Sequence, residues 1–362
     1  MFRWLRRLLG VLLVLALIVS VPILWIEKGC AVSRDRSVGP RAPLVDEGDY
    51  ARRESDSHLS FPEWHIVYAY EDLAGVLQRG NESEFAYGRQ IVGFWRSLCR
   101  LTSVVTAHER VATDTKVMLY TIGWSFTAEL ALKGAYEKTV GRLFERWRGP
   151  DKTAEDEFVA RDMQAYAVFL HQTPWYAYPF AGRLLDFWRS TPWPGAHLPR
   201  KIERRGLITT EYGVKAVYGA VIGYASNTAL GAADQEILTV MSGLDASDAA
   251  QEPQLKFVRV LGGGRTLVRT PRYQAYTDLL VRLARRGRNV VEIAGSQRIL
   301  VTVLAPAAPL PRLSGVDELF EVRLQSRPDR RRIGLDVAVP QLAATIRALE
   351  KAGVSIEHIY DY

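Results

Sequence analysis

Between Arg7 and Glu27 the chain runs for 19 residues, Leu8 to Ile26, without a charge and mostly as Leu, Val and Ile. About 20 such residues let a helix cross a hydrocarbon core of ~30 Å, so this stretch constrains every later segment. Arg3, Arg6 and Arg7 precede it. Positive charge stays cytoplasmic, which assigns the body of the protein to the far side. Trp4 and Trp25 stand at the two ends, where an amphipathic ring suits the headgroup layer. A cleaved signal peptide is the alternative, because Gly29-Cys30-Ala31 supplies a small-x-small triplet. The run exceeds the ~7–15 residues of a signal core, and Glu27 and Lys28 separate it from the triplet. The reading is therefore an uncleaved single-pass anchor, residues 1–31.

Two cysteines are too few to staple a chain of 362 residues. Glu27 and Lys28 occupy the box that a lipidated Cys30 would need small and apolar. Cys99 lies in a helical pattern and reads as an inert buried thiol. With 48% hydrophobic and 24% charged residues, a disordered or disulfide-framework chain is excluded, and the length suits two folded units plus appendages. Residues 1–250 carry 29 basic against 29 acidic side chains, and residues 251–362 carry 18 against 11. The whole net charge of +7 thus belongs to the last third, which marks a boundary near residue 250.

Residues 32–60, with Gly39, Pro40, Pro43 and mixed charge, read as a tether. Residues 61–244 read as an α-helical, aromatic-rich domain. Pro62 suits a helix start, and apolar residues then recur at three- and four-residue steps. A longer pattern runs from Lys116 to Trp147 and opens with twelve uncharged residues, Val117 to Ala128. Nine aromatics fall within 28 residues between Tyr166 and Trp193. Among them, Trp175, Tyr176, Trp188 and Trp193 are candidates for contact with a membrane or a hydrophobic ligand; the alternative is an aromatic-rich core. Ala216 to Ala233 is a second uncharged stretch, read as a buried helix or as a second span.

Residues 253–362 read as a ferredoxin-like antiparallel sheet with helices on one face, so the fold class is α+β. Strands 255–261 and 266–270 flank Gly262-Gly263-Gly264 as a hairpin, and a second pair, 319–324 and 333–339, surrounds a charged loop. An internal repeat supports the assignment: Leu283 to Gly287 then Val291-Glu292-Ile293 parallels Leu349 to Gly353 then Ile356-Glu357-His358. The tail from Leu342 to Gly353, followed by Val354 to Tyr360, resembles the closing helix and strand of ACT-type ligand-binding domains, which implies a ferredoxin-like fold that binds amino acids at domain interfaces. The chain also resembles uncharacterised bacterial membrane-anchored proteins, notably at Ser125 to Glu137; that likeness implies no activity.

Glu129, Lys133 and Glu137 share one helix face. They are either a surface ladder or a desolvated cluster in which Glu129 works as an acid or base. His171, set among aromatics, is a second candidate acid or base. The six histidines show no metal-ligand spacing, and neither a metal nor a cofactor is expected. Arg282, Arg285, Arg286, Arg330, Arg331 and Arg332 form basic clusters suited to anionic lipid or an acidic protein rather than to nucleic acid. Two functions follow: a membrane-anchored interaction or ligand-binding protein of the envelope, or a membrane-bound enzyme acting on a lipid or other hydrophobic substrate.

Overall fold

The computed structural model describes residue 6, residue 10 and residues 20–32, 42–45, 50–226 and 236–361. Most of the apolar segment 8–26 and residues 227–233 of the second uncharged stretch lie outside the described residues. Among the described residues no helix is long and apolar enough to cross a membrane.

The chain is mixed α+β, mostly helical in its first part and built on two antiparallel four-stranded sheets at its end. The helices are α1 (Glu54–Leu59), α2 (Phe61–Arg79), α3 (Tyr87–His108), α4 (Thr113–Tyr136), α5 (Arg142–Arg148), α6 (Ala154–Leu170), α7 (Phe180–Ser190) and α8 (Leu198–Ser226). Local chemistry sets several of the boundaries. Pro62 sits in the first turn of α2, where its missing N–H costs nothing. Thr153 and Asp156 cap α6 reciprocally, which satisfies two donors that the first turn leaves open. Helices α4 and α5 are one rod interrupted by a π-helical turn, Glu137–Gly141.

The sheets come from a duplication. The first unit is β1 (Glu236–Ser242), α9 (Ala246–Gln251), β2 (Lys256–Leu261), β3 (Arg265–Pro271), α10 (Tyr273–Arg285) and β4 (Asn289–Ile293). The second is β5 (Arg298–Pro306), β6 (Val316–Arg323), β7 (Arg330–Ala338), α11 (Leu342–Lys351) and β8 (Ser355–Ile359). The strand orders, β2-β3-β1-β4 and β6-β7-β5-β8, are the same. Even the irregularities repeat: the central strand slips register against its last neighbour at Val240/Met241 in one unit and at Thr302/Val303 in the other. Both helices end on a left-handed glycine, Gly287 and Gly353, with the following N–H donating back to Leu283 and Leu349 at 3.0 Å, the bond that closes a helix at such a residue.

The repeat expected from sequence is present, but the single ferredoxin-like sheet is not. The first unit, β1-α9-β2-β3-α10-β4, follows the β-α-β-β-α-β order of that fold; the second has no helix between β5 and β6, and each unit completes its own sheet instead of sharing one. The sequence reading missed β1, which lies at 236–242 and pairs with both β3 and β4. Helices α10 and α11 share one core with both sheets through Met241, Val268, Leu279, Val303, Leu335 and Ile346.

Two further expectations are corrected. Cys30 and Cys99 are joined in a disulfide, so Cys99 is no inert thiol; distance in sequence gave no sign that α3 carries it to the end of the apolar segment. The described part of the tether is packed, since Val45 and Tyr50 are buried beside Val240 and Leu267. The Tyr50 hydroxyl donates to Glu292 at 2.7 Å, and His58 on α1 meets Asp336 on β7 at 3.2 Å. Local composition cannot reveal partners more than 200 residues away.

Phe320 on β6 joins the helical part to the second sheet: its ring lies 4.3 Å from Phe61 on one side and covers Gly334 of β7 on the other, where a Cβ would overlap it. Gly334→Val is expected to cost about 1–3 kcal/mol through overpacking, read as a lower denaturation midpoint with an unchanged denaturant slope. An unaltered midpoint would show that Phe320 moves aside freely.

Candidate functional site

Glu129, Lys133 and Glu137 face α8, with the Glu129 side chain still 34% exposed, and their partners run in antiparallel order along it. Glu129 accepts from the Tyr70 hydroxyl at 2.6 Å and lies 2.7 Å from Lys215. Lys133 lies 3.0 Å from Glu82 and 3.2 Å from Glu211. Glu137 lies 2.7 Å from Arg204, which also holds Glu82 at 2.9 Å and Glu203 at 2.7 Å. Arg200 extends the seam to Glu203 and Asp156, and Arg148 closes it on Asp156. Residues 200, 204, 211 and 215 share one face of α8 because their successive spacings are four, seven and four.

Taking these charges out of water is costly, and only near-complete pairing compensates. Lys133, Lys215 and Arg204 are each held more firmly protonated by the surrounding carboxylates, against the opposing effect of burial. Burial acts to raise the Glu129 pKa, but Lys215 and Tyr70 outweigh it and the net shift is downward. Glu129 is therefore held as a carboxylate. Glu137 behaves in the opposite way: burial, then the neighbouring charge of Glu82, push it up to about 8 against the pull of Arg204. Its Oε2 has no hydrogen-bond partner among the described residues, which accords with a proton there. The π-helical turn that begins at Glu137 is a distortion often found where a helix does more than pack.

The outer faces of the same helices are inverted. From Leu198 to Tyr224, every exposed residue of α8 is uncharged, while Arg200, Lys201, Glu203, Arg204 and Arg205 are buried. Val217 is 69% and Tyr224 84% exposed. The exposed residues of α4 between Val117 and Ala135 are likewise all uncharged, with Leu132 75% exposed. Where the rod passes the start of α8 lies a shallow, mostly apolar depression of about 420 Å³ lined by Tyr136, Val140, Phe144, Leu198, Pro199, Ile202 and Glu203. For residues 216–224, the buried-helix reading of the second uncharged stretch is corrected, because Val217, Tyr218, Val221 and Tyr224 are open to solvent.

The other candidates are placed as follows. Trp175 stacks on Tyr218 at 5.4 Å. The backbone of Tyr176 approaches α8 at Gly219, where a Cβ would stand 3.0 Å from its carbonyl oxygen; the small residue there admits a turn rather than a second helix. Trp188 and Trp193 are half exposed and hold the Arg205 guanidinium at 4.9 and 4.1 Å. His171 lies apart from the seam, edge-on to Trp64 at 5.7 Å and 3.9 Å from Glu71. The basic cluster is mostly satisfied internally: Arg282 and Arg286 pair with Glu252, Arg285 with Glu350 and Arg331 with Glu321, while Arg330 donates to the Gly353 carbonyl. Arg332 is buried on Glu357 and is out of reach of an external partner. Sequence reasoning named one side of the seam and missed the α8 side. The signal was present in charges at helical spacing inside a segment whose other positions are apolar. No protein-family model, curated protein or solved structure matches the chain.

Arg204→Met removes the ion-pair partner of buried Glu137 and one of the two cations on Glu82 and on Glu203, and is expected to cost about 3–5 kcal/mol, measured by chemical denaturation in detergent. A loss below about 1 kcal/mol, as for surface pairs, would mean that the seam is hydrated. Glu137, raised from an ordinary 4.5 to about 8, binds more protons folded than unfolded between those values. Its contribution to stability is full below pH 4.5 and declines as pH rises to 8. Glu137→Gln is expected to flatten that decline by up to about 1.4 kcal/mol per pH unit; parallel profiles for the two proteins would refute the assignment.

Proposed function

We propose that the protein is a membrane-anchored interaction or ligand-binding protein of the bacterial envelope, held by Leu8–Ile26 with its N-terminus cytoplasmic and its body on the far side of the inner membrane. The observation that carries this reading is the Cys30–Cys99 disulfide. Such bonds persist in oxidising compartments and are rare in the cytosol. This one fastens the residue four positions after the apolar run to α3, so the end of the anchor and the body share one compartment. It also favours retention of the segment, since cleavage after Ala31 would remove Cys30 and strand Cys99. The duplicated sheet module supplies the folded unit for a partner, and the helical part stands next to the anchor: Glu27 lies 2.8 Å from Lys116, and the Tyr120 hydroxyl donates to it at 2.7 Å. The enzyme reading has less support, because Glu129 is committed to Tyr70 and Lys215 and His171 lies outside the seam.

Protein extracted from membranes and treated with a maleimide–polyethylene glycol under denaturing conditions is expected to shift on a gel only after reduction, by two additions. Cys30→Ser is expected to lower stability by about 4 kcal/mol, the loop-closure effect of a cross-link spanning 69 residues. A shift before reduction, or a body digested only by protease applied from the cytoplasmic side, would overturn the reading.

A further inference from the structure

Helix α8 inverts the usual arrangement of a soluble helix, with its charges inside and uncharged side chains outside, and α4, which buries Leu119, Phe126 and Leu130, is uncharged on its outer face as well. The uncharged exposed face of α4 from Val117 to Ala135 covers about 30 Å at 1.5 Å per residue, and α8 runs antiparallel beside it. Uncharged, exposed outer faces of that length on two neighbouring helices are unusual for a monomeric soluble surface and mark a contact. Three observations indicate what it touches. The end of the apolar N-terminal segment is tied to the same end of α4, because Lys116 and Tyr120, which hold Glu27, flank the exposed Val117 and Met118. The exposed aromatics on the rod and on α8 include Trp147, Tyr218 and Tyr224, side chains with an apolar body and a polar tip that suit a lipid–water boundary. Beyond the apolar stretch, Lys138, Arg142 and Arg146 are exposed and make no ion pair among the described residues. No fully exposed position of the two faces carries a carboxylate to meet these cations in a second copy of the chain, and Glu129, 34% exposed, is already paired with Lys215.

We propose that the outer face of α4 and α8 rests on an anionic bilayer, its apolar residues in the acyl boundary and Lys138, Arg142 and Arg146 among the phosphate headgroups. The inference rests on the anchored reading above. The helices lie along the membrane surface rather than across it, as amphipathic interfacial helices do, and the seam turns the charges of α8 away from lipid. The bilayer then orients the sheet module as well as retaining it. The basic residues that meet lipid are those of the helical rod, not the paired arginines of the sheets.

The test uses the full chain in vesicles of phosphatidylcholine and phosphatidylglycerol. Because both native cysteines are bonded to each other, single cysteines at Val117, Val217 or Val221 take an environment-sensitive fluorophore selectively; Val260→Cys, on the exposed edge strand β2, is the control. With iodide on both sides, labels at 117, 217 and 221 are expected to shift to the blue and lose iodide quenching, while the label at 260 remains quenchable. Arg142→Glu with Arg146→Glu is expected to restore quenching at 217. Equal quenching at all four positions in protein that floats with the vesicles would overturn the proposal and leave the anchored reading standing. Protein that does not float would remove the anchored reading itself. Protection at 217 accompanied by self-quenching that disappears on dilution with unlabelled chain would assign the face to a second copy and overturn the lipid contact.

Discussion

The buried ion pairs between α4 and α8 are the interaction on which the helical part depends. Arg204 lies at its centre, holding carboxylates from α8, from the π-helical turn and from the short segment between α2 and α3. Charges so placed are stable only in company, since each unpaired group would carry the desolvation cost that its partner now offsets. The seam therefore fixes the register and orientation of α8 more narrowly than apolar packing would, because a one-residue rotation separates several pairs at once. It also fixes which side of α8 faces out. With the charges directed inward, the exposed positions are all uncharged, chiefly Val, Ile, Leu and Tyr with Gly, Ala, Pro and Thr, and that outer surface follows from the internal electrostatics.

The second organising element is the doubled sheet unit. Its two copies share strand order, register slips and helix termination, and they bury a common core around α10 and α11. The helical part is bound to this unit through polar and aromatic contacts: Asp72 accepts from the Ser326 backbone N–H at 2.6 Å, and Tyr68 lies under the Arg332 guanidinium at 3.7 Å. Tyr50 and the segment leading into α1 cross the sheets on the way from the apolar segment. In the proposed topology the bilayer, the helical rod and the sheet module thus form one continuous mechanical path, with the Cys30–Cys99 bond at its membrane end.

Much of the sheet module was legible because its signals are local. Hairpin strands around Gly262-Gly263-Gly264, and helices stopped by Gly287 and Gly353, are written in residues within a few positions of each other, and the backbone requirements of those glycines are strict. The duplication was legible for the same reason. The number of sheets was not: β1 became a strand by pairing with β3 and β4 on either side, and no periodicity within seven residues announces two such partners. At the candidate site, the four-residue steps of Glu129, Lys133 and Glu137 gave the shared face, but a ladder on water and a ladder on a buried seam look identical in one helix.

The sequence by itself determined an apolar segment of anchor length, a helical part rich in aromatics and a basic, internally repeated α+β end, because each rests on composition or short-range spacing. Only the tertiary structure decided that Cys30 meets Cys99, that the residues before α2 are packed rather than free, and that the charges of α8 point inward. All three depend on which distant segments come into contact. The energy of a charge or a thiol is set by its neighbours in space, and those are separated along this chain by 60 to more than 200 residues.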